Sequence, residues 1–178
     1  MEKRSGALMN TVNELFSEDC VFISSQSTKE TVIKEVGAKL LQKNLVTNEF
    51  VEQVLEREKS YPTGIDLKVL QTDLPNVAVP HTEAVYVKTR MIVPIKLTAP
   101  MRFYNMIDPQ KSMDVCFLFM ILNNQADEQA NVLAAIMDFI TQTDAAEMKQ
   151  FFALNDTAKI YDFLTEKFKI LKLKNKVR

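Results

Sequence analysis

Histidine is nearly absent from this sequence: His81 is the single one among 178 residues. Zinc sites built on paired imidazoles and the HExxH helix of metalloproteases each need two histidines, so both are impossible. Glycine is also scarce, with three residues, and no segment matches the glycine-rich loops that bind nucleotides or the GxSxG turn of hydrolases. The sequence therefore predicts no metal and no cofactor. Any chemistry at His81 is that of a nucleophile or a general base.

Cysteine and long apolar runs are equally limited. Two cysteines, Cys20 and Cys116, are too few for a disulfide framework, and neither has a metal ligand at zinc spacing. The apolar run VCFLFMIL at 115–122 is far shorter than the ~20 residues of a membrane-spanning helix. The N-terminal residues lead into no signal-peptide core. We therefore expect a cytoplasmic protein without direct membrane insertion.

Neither sign of charge dominates, since the net charge is −1, and no nucleic-acid partner is expected. The exception is the end of the chain, where residues 169–178 carry four lysines and one arginine. We expect a solvated, fraying tail there, with a membrane-surface contact as the alternative. The length and the ordinary balance of 47% hydrophobic and 25% charged residues predict one domain over residues 1–178, with its core at about 12–168.

Hydrophobic periodicity predicts strands and helices mixed along the chain. Ser27 and Glu30 have the spacing of a capping box before the first helix, and Pro94 places its strand at an edge or a bulge. The pattern favours a single α/β domain with a mixed β-sheet flanked by helices, and leaves open a two-layer arrangement with all helices on one face. The predicted strands cover 21–23, 77–79, 85–97 and 115–122, and the predicted helices cover 28–43, 48–59, about 132–140, 144–152 and 156–168.

His81 directly follows one of these predicted strands, in the segment VAVPHT at residues 77–82. It should therefore project from a rigid strand end, with Pro80 fixing the approach of the backbone. A neutral imidazole keeps a lone pair on one nitrogen, and a carbonyl that accepts from the other nitrogen would fix which one. With an ordinary pKa of ~6.5 the ring is largely neutral at cytosolic pH. The local context leaves open a nucleophile or a histidine merely satisfied by local hydrogen bonds.

Three ordered segments resemble a known signature: EREK at 56–59, YPTGI at 61–65 and VAVPHTEA at 77–84. They resemble the enzyme IIA domains of the fructose–mannitol superfamily of bacterial sugar phosphotransferase systems. The PTGI and PHTEA pieces are most similar to the galactitol branch. RFYNMID at 102–108 and the strand at 115–122 match the family's second half, so the resemblance covers about 12–168. It implies the fructose/mannitol-type enzyme IIA fold.

The resemblance also implies a phosphotransferase that works as a phosphohistidine relay. A phosphoryl group arrives from the phosphohistidine of the carrier HPr, is held by His81, and leaves for a cysteine of an enzyme IIB partner that serves a membrane enzyme IIC. The charge in such a transition state is spread over the phosphoryl oxygens, so positioning and electrostatic stabilisation dominate catalysis. Arg57 matches the family's catalytic arginine, whose planar fork suits phosphate oxygens. Its alternative role is that of a cation near a helix C-terminus.

Gln129 and Thr82 are further candidates for binding the phosphoryl group. Relatives of the mannitol and fructose types place a second histidine in the segment matched by ADEQ at 126–129. Gln129 should lie in the first turn of its helix, on the inward face, where its amide could donate to a phosphoryl oxygen. Because glutamine cannot carry a charge, no protonation switch is expected there, and a plain polar residue is the alternative. Thr82 offers a hydroxyl or an amide, whereas Glu83 is expected to face solvent.

Two other functions use the same residues. A regulatory relative similar to the nitrogen-type enzyme IIA would have the same chemistry but would control partner proteins. An inert interaction module is disfavoured because both Arg57 and His81 are present. The sugar is not encoded here, since the membrane component binds it in this family. Phe103, Tyr104 and Met106 belong either to the core or to a docking face for HPr and enzyme IIB.

Overall fold

The computed structural model describes residues 15–70 and 73–176, which form one mixed five-stranded sheet with five α-helices. The strands are β1 (Phe22–Ser24), β2 (Gly64–Ile65), β3 (Asn76–Ala78), β4 (Arg90–Tyr104) and β5 (Ser112–Asn123). The helices are α1 (Lys29–Gln42), α2 (Phe50–Ser60), α3 (Gln129–Gln142), α4 (Ala145–Ala153) and α5 (Thr157–Lys176). The strand order is β1-β4-β5-β3-β2. The pairs β1–β4 and β3–β5 are parallel, whereas β4–β5 and β2–β3 are antiparallel.

Helices cover both faces of this sheet. On one face, α1 and α2 pack on a cluster that includes Leu118 and Met120 of β5. On the other face, α3, α4 and α5 pack on a cluster that includes Phe119 and Ile121 of the same strand. The run at 115–122 is therefore a central strand buried on both sides, which accounts for its continuous apolar sequence. The predicted mixed sheet flanked by helices is confirmed, and the two-layer alternative is excluded.

The prediction for β4 was wrong at both ends. A short 3₁₀ turn, Ala84–Tyr86, occupies the predicted start, and the strand runs from Arg90 to Tyr104. Pro94 was also expected at an edge or a bulge, yet β4 lies between β1 and β5. The short β1 pairs with β4 only from Ile95 to Leu97, so Pro94 lies just outside that pairing. A bulge further along, between Lys96 and Met101, breaks the alternation that would have revealed the rest of the strand.

Two helix ends also differ from the prediction. Thr28, in place of Ser27, is the N-cap of α1, and its hydroxyl accepts from the Thr31 amide at 3.2 Å while the Thr31 hydroxyl accepts from the Thr28 amide at 3.3 Å. At the other end of the chain, α5 continues to Lys176, because Leu171 extends the buried stripe of the helix. The predicted fraying of residues 169–176 is therefore wrong, although 173–176 are exposed. The predicted start of the core at residue 12 lies outside the described residues.

Within residues 15–70 and 73–176, none of the helices combines the length and the apolar composition needed to cross a membrane.

Candidate active site

His81 lies where the chain leaves β3, and hydrogen bonds fix the backbone before it from two sides. The Val79 amide donates to the Thr63 carbonyl at 3.2 Å, and the Ile121 amide of β5 donates to the Pro80 carbonyl at 3.0 Å. The peptide units leading to His81 are thus tied to the central strand and to the segment before β2. This is the rigid strand end that the sequence predicts.

The imidazole ring of His81 has one nitrogen engaged. Nδ1 lies 2.7 Å from the Val79 carbonyl oxygen, which can only accept, so Nδ1 carries the proton and donates it. Nε2 therefore keeps the lone pair. Removal from water lowers the pKa of His81 below its ordinary 6.5; the Val79 bond opposes this effect, and the charge of Arg57 adds to it. A ring that is neutral near pH 7 with Nε2 unprotonated can act as a nucleophile.

Arg57 lies in the last turn of α2 and is only partly exposed. Its Nε is buried and has no hydrogen-bond partner within the described part of the chain. The guanidinium carbon lies 5.5 Å from the centre of the Tyr61 ring, a distance typical of a cation–π contact. Buried donors without an acceptor are rare in proteins and suggest a functional role. That Arg57 binds an anionic group here stays a prediction.

A cavity of about 190 Å³ is lined by Arg57, His81 and Thr82, three of the four predicted site residues. This volume is smaller than the ~300–1,000 Å³ of most small-molecule pockets, and it suits a group the size of a phosphoryl. Glu83 lines the cavity although its side chain is exposed, as expected. The residues around the cavity are Arg57, His81, Thr82, Glu83, Ala84 and Ala126.

Gln129 occupies the first position of α3, so the expected place in the first turn of that helix is observed. It directly follows the 3₁₀ turn Ala126–Glu128, and Ala126 lines the cavity. The side chain of Gln129 lies outside the described part of the structure. That its amide reaches the phosphoryl group therefore stays a prediction.

Sequence reasoning missed the buried pair Glu58 and Thr63. The carboxylate of Glu58 accepts from the Thr63 amide at 3.0 Å and from the Thr63 hydroxyl at 2.8 Å. The glycine that follows has a steric reason, because a Cβ on Gly64 would lie 2.5 Å from the Tyr104 carbonyl oxygen. The TG pair of the YPTGI segment was visible in the sequence. Only the structure shows that the partner of Thr63 is Glu58.

The apolar residues proposed for either the core or a docking face differ in their burial. Phe103 is fully buried in the cluster under α1 and α2. Tyr104 and Met106 each keep 37% of their surface exposed.

Among residues 15–70 and 73–176, no group of three or more histidine, cysteine or acidic side chains is arranged to hold a metal ion.

Comparison with known proteins identifies the family. The profile described as "Phosphoenolpyruvate-dependent sugar phosphotransferase system, EIIA 2" matches residues 14–167. The galactitol-specific EIIA component of Escherichia coli (strain K12) is 24% identical over 119 residues, which are 67% of this chain and 75% of that protein.

Solved structures agree with this result. The crystal structure of enzyme IIA mannitol from Escherichia coli has a TM-score of 0.65 at 20% identity, covering 84% of this chain and 98% of that one. Enzyme IIA mannitol in complex with phosphorylated enzyme IIB mannitol, also from Escherichia coli, has a TM-score of 0.65 at 20% identity, over 85% and 97% of the two chains. The predicted fructose/mannitol-type fold is confirmed, and the chain belongs to the EIIA 2 family of the phosphoenolpyruvate-dependent sugar phosphotransferase system.

Proposed function

We propose that this protein is a phosphocarrier that accepts a phosphoryl group from phospho-HPr on His81 and passes it to an enzyme IIB partner. The observation that carries the proposal is the Nδ1–H donated to the Val79 carbonyl at 2.7 Å. It leaves Nε2 as the nucleophile in a cavity that Arg57 also lines. The galactitol-specific relative suggests uptake of galactitol or a similar polyol through a membrane enzyme IIC. The carrier would act in the cytoplasm as a single domain.

In the first transfer, the Nε2 lone pair of His81 forms a bond to phosphorus while the bond from phosphorus to the HPr histidine breaks. The electron pair of that bond returns to the HPr ring. The His81 ring gains positive charge as it bonds to phosphorus, and the Val79 carbonyl that holds Nδ1–H stabilises this charge. Arg57 donates to the phosphoryl oxygens, where the charge of the transition state is spread. Thr82 and Gln129 are proposed as additional donors.

In the second transfer, a cysteine thiolate of enzyme IIB attacks phosphorus and the bond to Nε2 breaks. The electron pair returns to Nε2, so His81 regains its original tautomer without moving a proton. The hydrogen bond from Nδ1 to the Val79 carbonyl therefore supports both the first and the second transfer. The mannitol relative solved with phosphorylated enzyme IIB supports a partner of this class.

The test uses purified protein, labelled phosphoenolpyruvate, enzyme I and HPr. We expect one acid-labile phosphoryl group per chain, no label on the His81→Ala variant, and full label on a Glu56→Gln control, whose carboxylate is exposed and paired with Lys59. Onward transfer to an enzyme IIB protein distinguishes the transport carrier from the regulatory alternative. A His81→Ala protein that labels like the parent would contradict the proposal.

A further inference from the structure

Glu58 is a buried carboxylate with no part in the mechanism above. It lies in the last turn of α2, next to Arg57, with only 3% of its surface exposed. Burial raises the pKa of Glu58 to about 7, opposed by the hydrogen bonds from Thr63 and by the charge of Lys29. Removing a carboxylate from water is costly, so a residue that only closed a turn would not need one.

The hydrogen bonds that begin at Glu58 lead to the reactive ring. Glu58 accepts from the amide and the hydroxyl of Thr63 at 3.0 and 2.8 Å. The Thr63 carbonyl accepts from the Val79 amide at 3.2 Å, and the Val79 carbonyl accepts from Nδ1 of His81 at 2.7 Å. The first link joins the end of α2 to the segment before β2, the second joins that segment to Val79, and the third is local, between Val79 and the His81 ring, so the chain of bonds runs from α2 to the histidine that follows β3 by three residues.

The same helix end carries the other catalytic side chain. The Arg57 carbonyl accepts from the Tyr61 amide at 2.7 Å, which fixes the exit of the chain from α2. The hydrogen bonds of Glu58 then hold this end of α2 against Thr63, a residue that is itself only 2% exposed. The contact between Glu58 and Thr63 therefore joins the end of α2 that carries Arg57 to the segment that binds the backbone before His81.

We propose that Glu58 is a positioning residue for phosphoryl transfer, holding the His81 ring and the Arg57 guanidinium in one arrangement through Thr63 and Val79. The kinetic part of this inference rests on the proposed function, whereas the geometric part does not. Displacing a reacting group by ~1 Å can slow a reaction ~100-fold. Loss of the hydrogen bonds between Glu58 and Thr63 should therefore slow the transfer step without changing the surface that receives HPr.

The first test is independent of phosphoryl transfer. His81 is the only histidine, so long-range ¹H–¹⁵N NMR of the unphosphorylated protein reports one ring. In the parent we expect the Nδ1–H tautomer. In Glu58→Ala we expect a mixture of tautomers or a shifted Nδ1 signal. Glu58→Gln should resemble the parent, because its amide oxygen still accepts from the Thr63 amide and its NH₂ can donate to the Thr63 hydroxyl.

The second test measures single-turnover transfer from phospho-HPr. Glu58→Ala should lower the rate at saturating HPr at least ~10-fold, with an unchanged half-saturating concentration, and Glu58→Gln should restore most of the rate. Val54→Ala is the matched control, since Val54 is fully buried on the same helix and its loss destabilises without touching the chain of bonds. All measurements are made at a temperature where circular dichroism shows each variant folded.

If Glu58→Ala does not fold, Thr63→Val takes its place. It removes only the hydroxyl bond, and Thr63→Ser, which keeps that hydroxyl, is its control. A changed His81 signal with slower transfer in the variant supports the proposal. A changed His81 signal in the variant, when the parent protein itself takes up no phosphate, supports the geometry while rejecting the proposed function. An unchanged His81 signal, or slowing equal to that of Val54→Ala, overturns the positioning role.

Discussion

The two faces of the sheet are covered by different kinds of side chain. Under α3, α4 and α5 the core is aromatic, and Phe151 lies with ring centres 5.1 Å from Phe117 and 5.5 Å from Phe139. Under α1 and α2 the core is mainly aliphatic, and the end of α2 carries Glu58, buried and hydrogen-bonded to Thr63. The aromatic face stabilises the fold, whereas the α2 side also contains buried polar groups that are linked to His81 through Val79. The lesson is that the site is located by its buried polar groups and not by its packing.

The largest effect on folding is expected on the aromatic face. Phe151→Ala should lower the free energy of unfolding by about 3–5 kcal/mol, because it removes a fully buried ring and leaves a cavity. Denaturant unfolding measures this loss, with the half-buried Phe152→Ala as a milder control. At a temperature where the variant is folded, phosphoryl transfer should stay within about twofold of the parent, since distant sites act independently. A specific loss of transfer would break the division between the two faces.

Arg57→Gln should show the opposite profile. Transfer from phospho-HPr should slow by ~100-fold or more, as when one electrostatic donor is removed from a comparable site. The free energy of unfolding should fall by no more than about 1 kcal/mol, the cost of losing the cation–π contact with Tyr61, since the buried Nε has no acceptor in the described part of the chain. Arg102→Gln, on an exposed position of β4, is the control. Transfer within about twofold of the parent would show that Arg57 is structural.

The pH dependence of the free energy of unfolding, compared between the parent and Glu58→Gln, tests the buried carboxylate on the α2 side. The pKa of Glu58 is raised from 4.5 to about 7, so the folded state binds this proton more tightly than the unfolded state does. The parent should therefore lose stability as pH rises from 4.5 to 7, by up to about 3 kcal/mol from this group. Glu58→Gln should lack that loss. Urea unfolding of both proteins at pH 5 and pH 8 isolates the group, and parallel pH profiles would show that Glu58 does not titrate in this range.

The smallest effect is expected at Gln129. A Gln129→His variant places a titratable ring at the first position of α3, next to the turn that lines the cavity. Transfer should become more dependent on pH between about 6 and 7.5, where histidine changes charge. Gln142→His, at the exposed last position of the same helix, is the control. A flat profile in Gln129→His would show that position 129 does not face the phosphoryl group.

Helices and strands could be predicted wherever the hydrophobic pattern along the sequence was uninterrupted. The apolar run of β5 and the stripe of α1 are of this kind, because burial on a fixed face imposes a simple period. The length of β4 could not be predicted, since its bulge breaks that period. The end of α5 was missed because its lysines obscured Leu171, the last residue of the helix that is buried against the core.

The candidate site divides in the same way. His81 and Arg57 were predicted because the resemblance places an arginine and a histidine at these positions, and Thr82 was predicted because it directly follows His81. The Val79 acceptor could not be predicted, since it depends on how the ring is turned. The link from Glu58 to Thr63 was equally hidden, because hydrogen bonds between segments leave no periodic trace in a sequence.

The most direct test of the account is the position of the phosphoryl group on His81. NMR of the ¹⁵N-labelled phosphoprotein would correlate phosphorus with one ring nitrogen, and the single histidine makes the assignment unambiguous. We predict phosphorus bonded to Nε2, with the Nδ1 proton still present and donated to the Val79 carbonyl. Phosphorus on Nδ1, or an unmodified ring in a protein that carries the label, would contradict the account.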